Sequence, residues 1–264
     1  MLLDVALTWR ELPERDLSKA AVVVADVLRA TTVMTAALAH GAVAIHPQDS
    51  DENARGCYNR LAAEGVPVLI CGEKEGFKRP GYDLGNSPLE FTPEAVAGKT
   101  VVHLTTNGTR ALVAASPARR ILVVSFHNLA AVTDAVRNLE SEIQNAVFTV
   151  SGKEGRFCLE DAVCLGGVIA GLLEPPGRDY EITDAARAAV DLYQLYKDQL
   201  PDMIRQCEHG RYLAQIGLGD DLPECVRMDT TGVVPVMLDG TIQALASLSP
   251  GSAAPDGTAP PGVA

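Results

Sequence analysis

Four polar segments, each following a short apolar run, carry the residues best suited to chemistry. The first is Asp26-Val27-Leu28-Arg29-Ala30-Thr31-Thr32. Its Arg29, Thr31 and Thr32 stand where a helix begins, and backbone N–H groups there are unpaired and favour anions. A plainer role is also open, with Asp26 and Thr31 as helix caps. The second segment is a polar loop of about twenty residues (long for a compact domain), running from Gly72-Glu73-Lys74-Glu75-Gly76 to Tyr82-Asp83-Leu84-Gly85-Asn86-Ser87-Pro88. Glu73, just past its strand, is placed to hold a metal, whereas Glu75, Lys78 and Arg79 read as solvated charges. The third is Thr105-Thr106-Asn107-Gly108-Thr109-Arg110. Its hydroxyls, amide and guanidinium could grip an oxyanion, Arg110 with two nitrogens at once. Gly108 lets the backbone approach a ligand. The alternative is an Asn-Gly turn with a threonine cap. The fourth runs from Ser151-Gly152-Lys153-Glu154-Gly155 to Leu159-Glu160-Asp161-Ala162. Acids in a first helical turn suit the dipole, and two adjacent carboxylates also suit a hard cation. His103, inside an apolar run, reads as a core histidine, and His127 as a cap.

These segments need a scaffold that brings strand ends together. Apolar runs at 21–25, 42–45, 67–70, 100–104, 121–124 and 146–150 read as buried strands. Helical patterns fall between them, at 31–40, 50–64, 107–115 and 128–141. That alternation predicts an α/β fold with a mostly parallel or mixed sheet and helices on both faces, in three layers. The last third is mainly helical, over 159–173, 183–208 and 209–216, with a late strand at 233–237 that Pro235 would place at an edge. Residues 1–246 read as a single domain, a division into two lobes near 155 being the alternative. Residues 247–264, rich in Ser, Pro, Gly and Ala, read as a disordered tail. In open α/β sheets ligands bind beyond the carboxyl ends of strands, where all four polar segments fall.

The chain has 264 residues and a net charge of −12. Such a surface repels nucleic acid and anionic lipid. It also repels anionic substrates, so an anion site here needs local positive charge. No run reaches the roughly 18 apolar residues of a membrane span, and the start lacks the pattern of a signal peptide. The sequence therefore predicts a cytoplasmic protein. Its six cysteines form no C-x-x-C pair and read as buried thiols. A homodimer is compatible with all of this.

In order and spacing, the four segments resemble the 2-phosphosulfolactate phosphatases (ComB type) over roughly residues 20–240. The match rests on residues 24–32, 72–76, 83–88, 105–112 and 159–162. Later pieces fit as well: Tyr212-Leu213, Gly217, Asp221, Cys225, Asp229 and Val234-Pro235. The resemblance implies Mg²⁺-dependent hydrolysis of a small anionic phosphorylated substrate, 2-phosphosulfolactate, to sulfolactate and phosphate, a step toward coenzyme M. It suggests Mg²⁺ on Asp26, Glu73 and Asp161, with Glu160 as the substitute ligand. Thr105, Thr106, Asn107, Gly108, Thr109 and Arg110 would hold one anionic group, and Arg29, Thr31, Thr32 and Asn86 would contribute to binding the rest. The Asp-x-Asp dyad of haloacid-dehalogenase-like phosphatases is missing, since Leu28 stands two positions after Asp26. Hydrolysis of another small phosphorylated acid, or anion binding without catalysis, remains open at this stage.

Overall fold

A computed structural model describes residues 1–105 and 107–245; Thr106 and the expected tail at 247–264 lie outside the described residues. In chain order the first half holds β1 (Leu2–Ala6), β2 (Ala20–Ala25), α1 (Ala30–Ala39), β3 (Ala44–Gln48), α2 (Asp51–Ala63), β4 (Val68–Lys74), β5 (Phe77–Lys78), α3 (Pro93–Val96), β6 (Thr100–Leu104) and α4 (Gly108–Ala114). The second half holds β7 (Arg120–Val124), α5 (Leu129–Asn138), β8 (Asn145–Val150), α6 (Leu159–Leu173), β9 (Glu181–Ile182), α7 (Asp184–Tyr196), α8 (Leu200–Gln206), α9 (Glu208–Gln215), α10 (Asp221–Cys225), β10 (Pro235–Leu238) and β11 (Thr241–Ala244).

The α/β expectation holds. The strands form one mixed sheet in the order β5-β4-β6-β3-β11-β10-β7-β2-β8-β1-β9. β4, β6 and β3 pair in parallel, as do β7, β2, β8, β1 and β9. The antiparallel hairpin of β10 and β11 joins the two parallel runs. Strand ends from both runs, those of β2 and of β4 and β6, meet at one cavity. Layering follows from the period-2 geometry of a strand. On β2, Ala21, Val23 and Ala25 pack into one core cluster, which takes in α5, α6, α7 and α8. Ala20, Val22 and Val24 pack into a second, with α1 and α4. Both faces are covered, which is why the strand reads as continuously apolar.

Two sequence expectations need correction. Pro235 was expected at a sheet edge, yet β10 lies inside the sheet between β11 and β7. Pro235 is tolerated because it is the first residue of the strand, and the β7 register uses only Val236 and Met237. The helical stretch 183–208 is divided into α7 and α8, with Gln199 in non-helical geometry between them. β1 went unforeseen because Asp4 interrupts its apolar pattern; that carboxylate sits in an ion pair with Arg15 at 2.8 Å.

α6 lies nearly wholly buried against α7, and Gly166 is what lets them close. A Cβ there would stand 2.0 Å from the Ala189 carbonyl oxygen. Replacing a mid-helix glycine with alanine ordinarily gains about 1 kcal/mol. Here a backbone clash opposes that gain, with overpacking worth about 1–3 kcal/mol. Gly166→Ala is therefore expected to lower stability by about 1–2 kcal/mol in urea unfolding, and a stabilised variant would show that α6 and α7 separate freely.

Candidate active site

Where β2 ends, the chain turns sharply into α1, and its own hydroxyls hold the turn. The Asp26 N–H donates to Thr31 Oγ1 at 3.0 Å, and Thr32 Oγ1 donates to the Val27 carbonyl at 2.8 Å. Thr31 and Thr32 are fully buried, spend their hydroxyls on the turn, and do not line the cavity. In this structure they brace the turn beneath the cavity. The turn is also tied from outside. Asp161, in the first turn of α6, accepts the Val27 N–H on Oδ1 at 2.8 Å and the Gly152 N–H on Oδ2 at 3.2 Å.

Arg29 is buried as well. Its Nη1 donates to Asp221 Oδ2 at 2.6 Å and its Nη2 to the Gly76 carbonyl at 2.7 Å. The other Asp221 oxygen accepts Ser87 Oγ at 2.5 Å. This one pair thus joins the β2 turn, the β4–β5 turn, the long loop and α10.

A cavity of about 390 Å³ opens above these groups. Asp26, Arg29, Glu73, Asn86, Thr105 and Asn107 line it, drawing on the carboxyl ends of β2, β4 and β6. Gly108 is required for this convergence: a Cβ would stand 3.0 Å from Ala30 Cβ and 3.1 Å from Asp26 Oδ2. Thr105 Oγ1 accepts the Thr109 N–H at 3.0 Å. Thr109 Oγ1 donates to the Gln48 carbonyl, so Thr109 braces the loop. His103 is the core histidine expected from its strand. Burial pushes it down to about 3, so it is neutral and its Nε2–H donates to Asn86 Oδ1 at 2.9 Å. That bond turns the Asn86 amide nitrogen into the donor left over for the cavity.

Arg110 is placed apart from these residues. It is exposed on α4 and does not line the cavity. One residue further along a helix is about 100° further around it, and Thr109 and Ala111 occupy the buried side.

The wall facing the anion loop comes from residues given no role at the sequence level: Glu75, Lys153, Glu154, His209 and Tyr212. Glu75-Gly76 and Glu154-Gly155 both have positive φ at each residue and form matching tight turns. Glu75 and Glu154 hold this geometry without being glycine, and both line the cavity. The repeated Lys-Glu-Gly at 74–76 and 153–155 was the available signal. His209 had none, because α9 reaches the site only through tertiary packing. Burial, then Lys153 and Arg29, push His209 down to about 4, so its ring is neutral here.

The acids form the electrostatic centre. Burial foremost, with the charges of Glu160 and Glu73 adding, raises Asp26 to about 7. Burial also raises Glu160. Asp161 is raised by burial and by both neighbours, against its two backbone N–H bonds. Of the four expected metal ligands, Asp26 and Glu73 line the cavity, whereas Glu160 and Asp161 stand behind it. Among the described residues no three His, Cys, Asp or Glu side chains form a ready-made metal cage.

The amino-acid sequence is similar to a known family. The sequence profile of the 2-phosphosulpholactate phosphatase family matches residues 6–240. A protein of Caldanaerobacter subterraneus subsp. tengcongensis named a probable 2-phosphosulfolactate phosphatase is 33% identical over 243 residues, covering 92% of this chain and 98% of the relative. A Clostridium perfringens protein of the same name is 36% identical, covering 94% and 98%. Another from Thermotoga petrophila is 34% identical, covering 83% and 89%.

Asp26 links stability to pH. In the unfolded chain its pKa is about 3.9, against about 7 in the fold. Between those values the fold holds a proton that the unfolded chain has released. Stability of the metal-free protein is thus full below about pH 4 for this group and is lost as pH rises through about 7. Asp26→Asn is expected to flatten that decline, by up to about 1.4 kcal/mol per pH unit, in urea unfolding between pH 5 and 8. An unchanged pH dependence would remove Asp26 as its source.

Proposed function

Because the chain belongs to the 2-phosphosulfolactate phosphatase family, we propose that it hydrolyses the phosphate ester of 2-phosphosulfolactate, giving sulfolactate and inorganic phosphate with Mg²⁺ as cofactor. One observation carries the reading: Thr105 and Asn107 of the oxyanion loop and the carboxylates of Asp26 and Glu73 line the same cavity.

The donor set suits Mg²⁺. That ion is commonly held by one or two carboxylates, with waters and phosphate oxygens completing the shell, rather than by an all-protein cage. Asp26 and Glu73 supply two such carboxylates at the cavity wall. The buried acids Asp26, Glu160 and Asp161 repel one another, and a cation offsets negative charge that Arg29, paired with Asp221, offsets only in part. When bound, Mg²⁺ supplies charge stabilisation on the phosphoryl oxygens and acidifies a coordinated water.

The chain's own groups divide the remaining work. Thr105, Asn107 and the Asn86 amide orient the phosphoryl oxygens by hydrogen bonding; Thr106 is assigned to the same loop. Glu73 is positioned by the Gly76 N–H, which donates to its Oε2 at 2.6 Å. Asp161 holds the Asp26 turn and the Gly152 loop in fixed relation. Asp26, buried at the cavity wall, is the carboxylate assigned to accept a proton from an attacking water. Phosphoryl transfer depends mainly on positioning and charge stabilisation, and this set provides both. Cytoplasmic location and coenzyme M formation as the context belong to the same proposal.

The test is phosphate release from 2-phosphosulfolactate against a panel of other phosphorylated small acids. EDTA is expected to abolish turnover and added Mg²⁺ to restore it. Asp26→Asn is expected to lower kcat/KM on the order of 100-fold or more. Undiminished turnover after complete metal removal would sink the metal assignment, and a faster member of the panel would replace the substrate.

A further inference from the structure

The cavity is strongly acidic, with Asp26, Glu73, Glu75 and Glu154 on its walls. Two cations face it, Arg29 and Lys153. Arg29 is committed to Asp221 and the Gly76 carbonyl. Lys153 is different: among the described residues no carboxylate lies within ion-pair distance of its ammonium. The ammonium stands instead 4.2 Å from the centre of the Tyr212 ring. An ammonium has three donors, and a ring face occupies one side only.

The protein fixes where this charge sits. The Tyr212 hydroxyl donates to the Glu75 carbonyl at 3.1 Å, which favours this orientation of the ring. Lys153 exchanges backbone hydrogen bonds with Arg156 across a tight turn, at 3.2 and 3.0 Å. The next N–H, that of Glu154, donates to Asn107 Oδ1 at 3.2 Å, pinning the Lys153 loop to the oxyanion loop. Gly152 makes the turn possible, having a φ of +68° and a carbonyl oxygen 2.0 Å from where a Cβ would be. Lys153 therefore stands at a set spacing from the groups assigned to the phosphate.

From this juxtaposition we propose that Lys153, seated on Tyr212, is a specificity-determining residue that binds a second acidic group of the substrate, a sulfonate or carboxylate carried beside the phosphate ester. This rests on the proposed phosphatase reading and deepens it. A phosphate ester with no other charge meets a cavity whose remaining wall is acidic. One that bears a further anion finds its counter-charge at Lys153.

Four esters separate the possibilities: 2-phosphosulfolactate, 2-phospholactate (carboxylate only), the phosphate ester of isethionate (sulfonate only) and isopropyl phosphate (neither). On the Mg²⁺-loaded full chain, Lys153→Met is expected to raise KM about 10- to 100-fold for esters bearing the recognised group, with kcat changing far less. That loss should exceed the loss on isopropyl phosphate by at least about 10-fold, and Lys153→Arg should recover much of it. The isethionate and lactate esters show which anion is recognised. Equal losses on all four esters, or none on any, would overturn the assignment. Binding of sulfolactate and of lactate, followed by calorimetry in wild type and Lys153→Met, reads the same site without turnover. Should no ester be hydrolysed by wild type while sulfolactate binding still depends on Lys153, the reaction fails and the Lys153 assignment stands.

Discussion

Most of the site depends on one buried ion pair. The side chains of Arg29 and Asp221 are 3% and 4% exposed, and removing either would strand a charge away from water at several kcal/mol. The pair is held by more than its partners' attraction. Arg29 also donates to the Gly76 carbonyl, and Asp221 also accepts Ser87. Three segments distant in sequence are joined through these hydrogen bonds: the β2 turn, the long loop at two of its points, and α10 in the helical last third. Such a pair is not needed to strengthen a core already rich in Val, Leu and Ala. Its effect is to fix which loops lie beside the cavity, and Asp161 does the same from the other side through Val27 and Gly152.

A tension runs through this arrangement. Asp26, Glu160 and Asp161 are buried together, and each is pushed toward its protonated form. A fold optimised for stability alone would not gather three carboxylates out of water. The same desolvation that makes the cluster costly makes it receptive to a cation and poises Asp26 near neutrality. Clustered acids with raised pKa values mark functional sites for this reason. Glu75 and Glu154, holding positive φ at the cavity rim, are a second departure from local preference at the same place.

The strand-to-helix alternation was legible because continuous apolar runs of this length have few other uses. Asp26, Glu73, Thr105 and Asn107 were legible as polar residues just after such runs and Asn86 as part of the long polar loop, and the structure places all five around one cavity. Thr31, Thr32 and Thr109 were correctly placed along the chain, but their hydroxyls are spent on backbone carbonyls and N–H groups inside the turns. Arg110 lies off the cavity for a geometric reason, since a helix turns its neighbours to different sides and local sequence does not say which side faces the cleft. Lys153 stood in a loop already singled out, though no pattern marked its charge as facing the cavity. Asp221 and Tyr212 were visible only as pieces of a family resemblance.

The sequence by itself determined the alternation of elements, the composition of the core, the acidic surface and the position of polar segments at strand ends. These follow from periodicity and from the local rules of turns and caps, which act over a few residues. Tertiary structure alone decided that β10 and β11 would enter the middle of the sheet and that Asp221 would find Arg29. It likewise decided that α9 would bring His209 and Tyr212 to Lys153. These are meetings between residues far apart in sequence, settled by sheet twist, helix packing and the pairing of buried charge, and no local pattern encodes them.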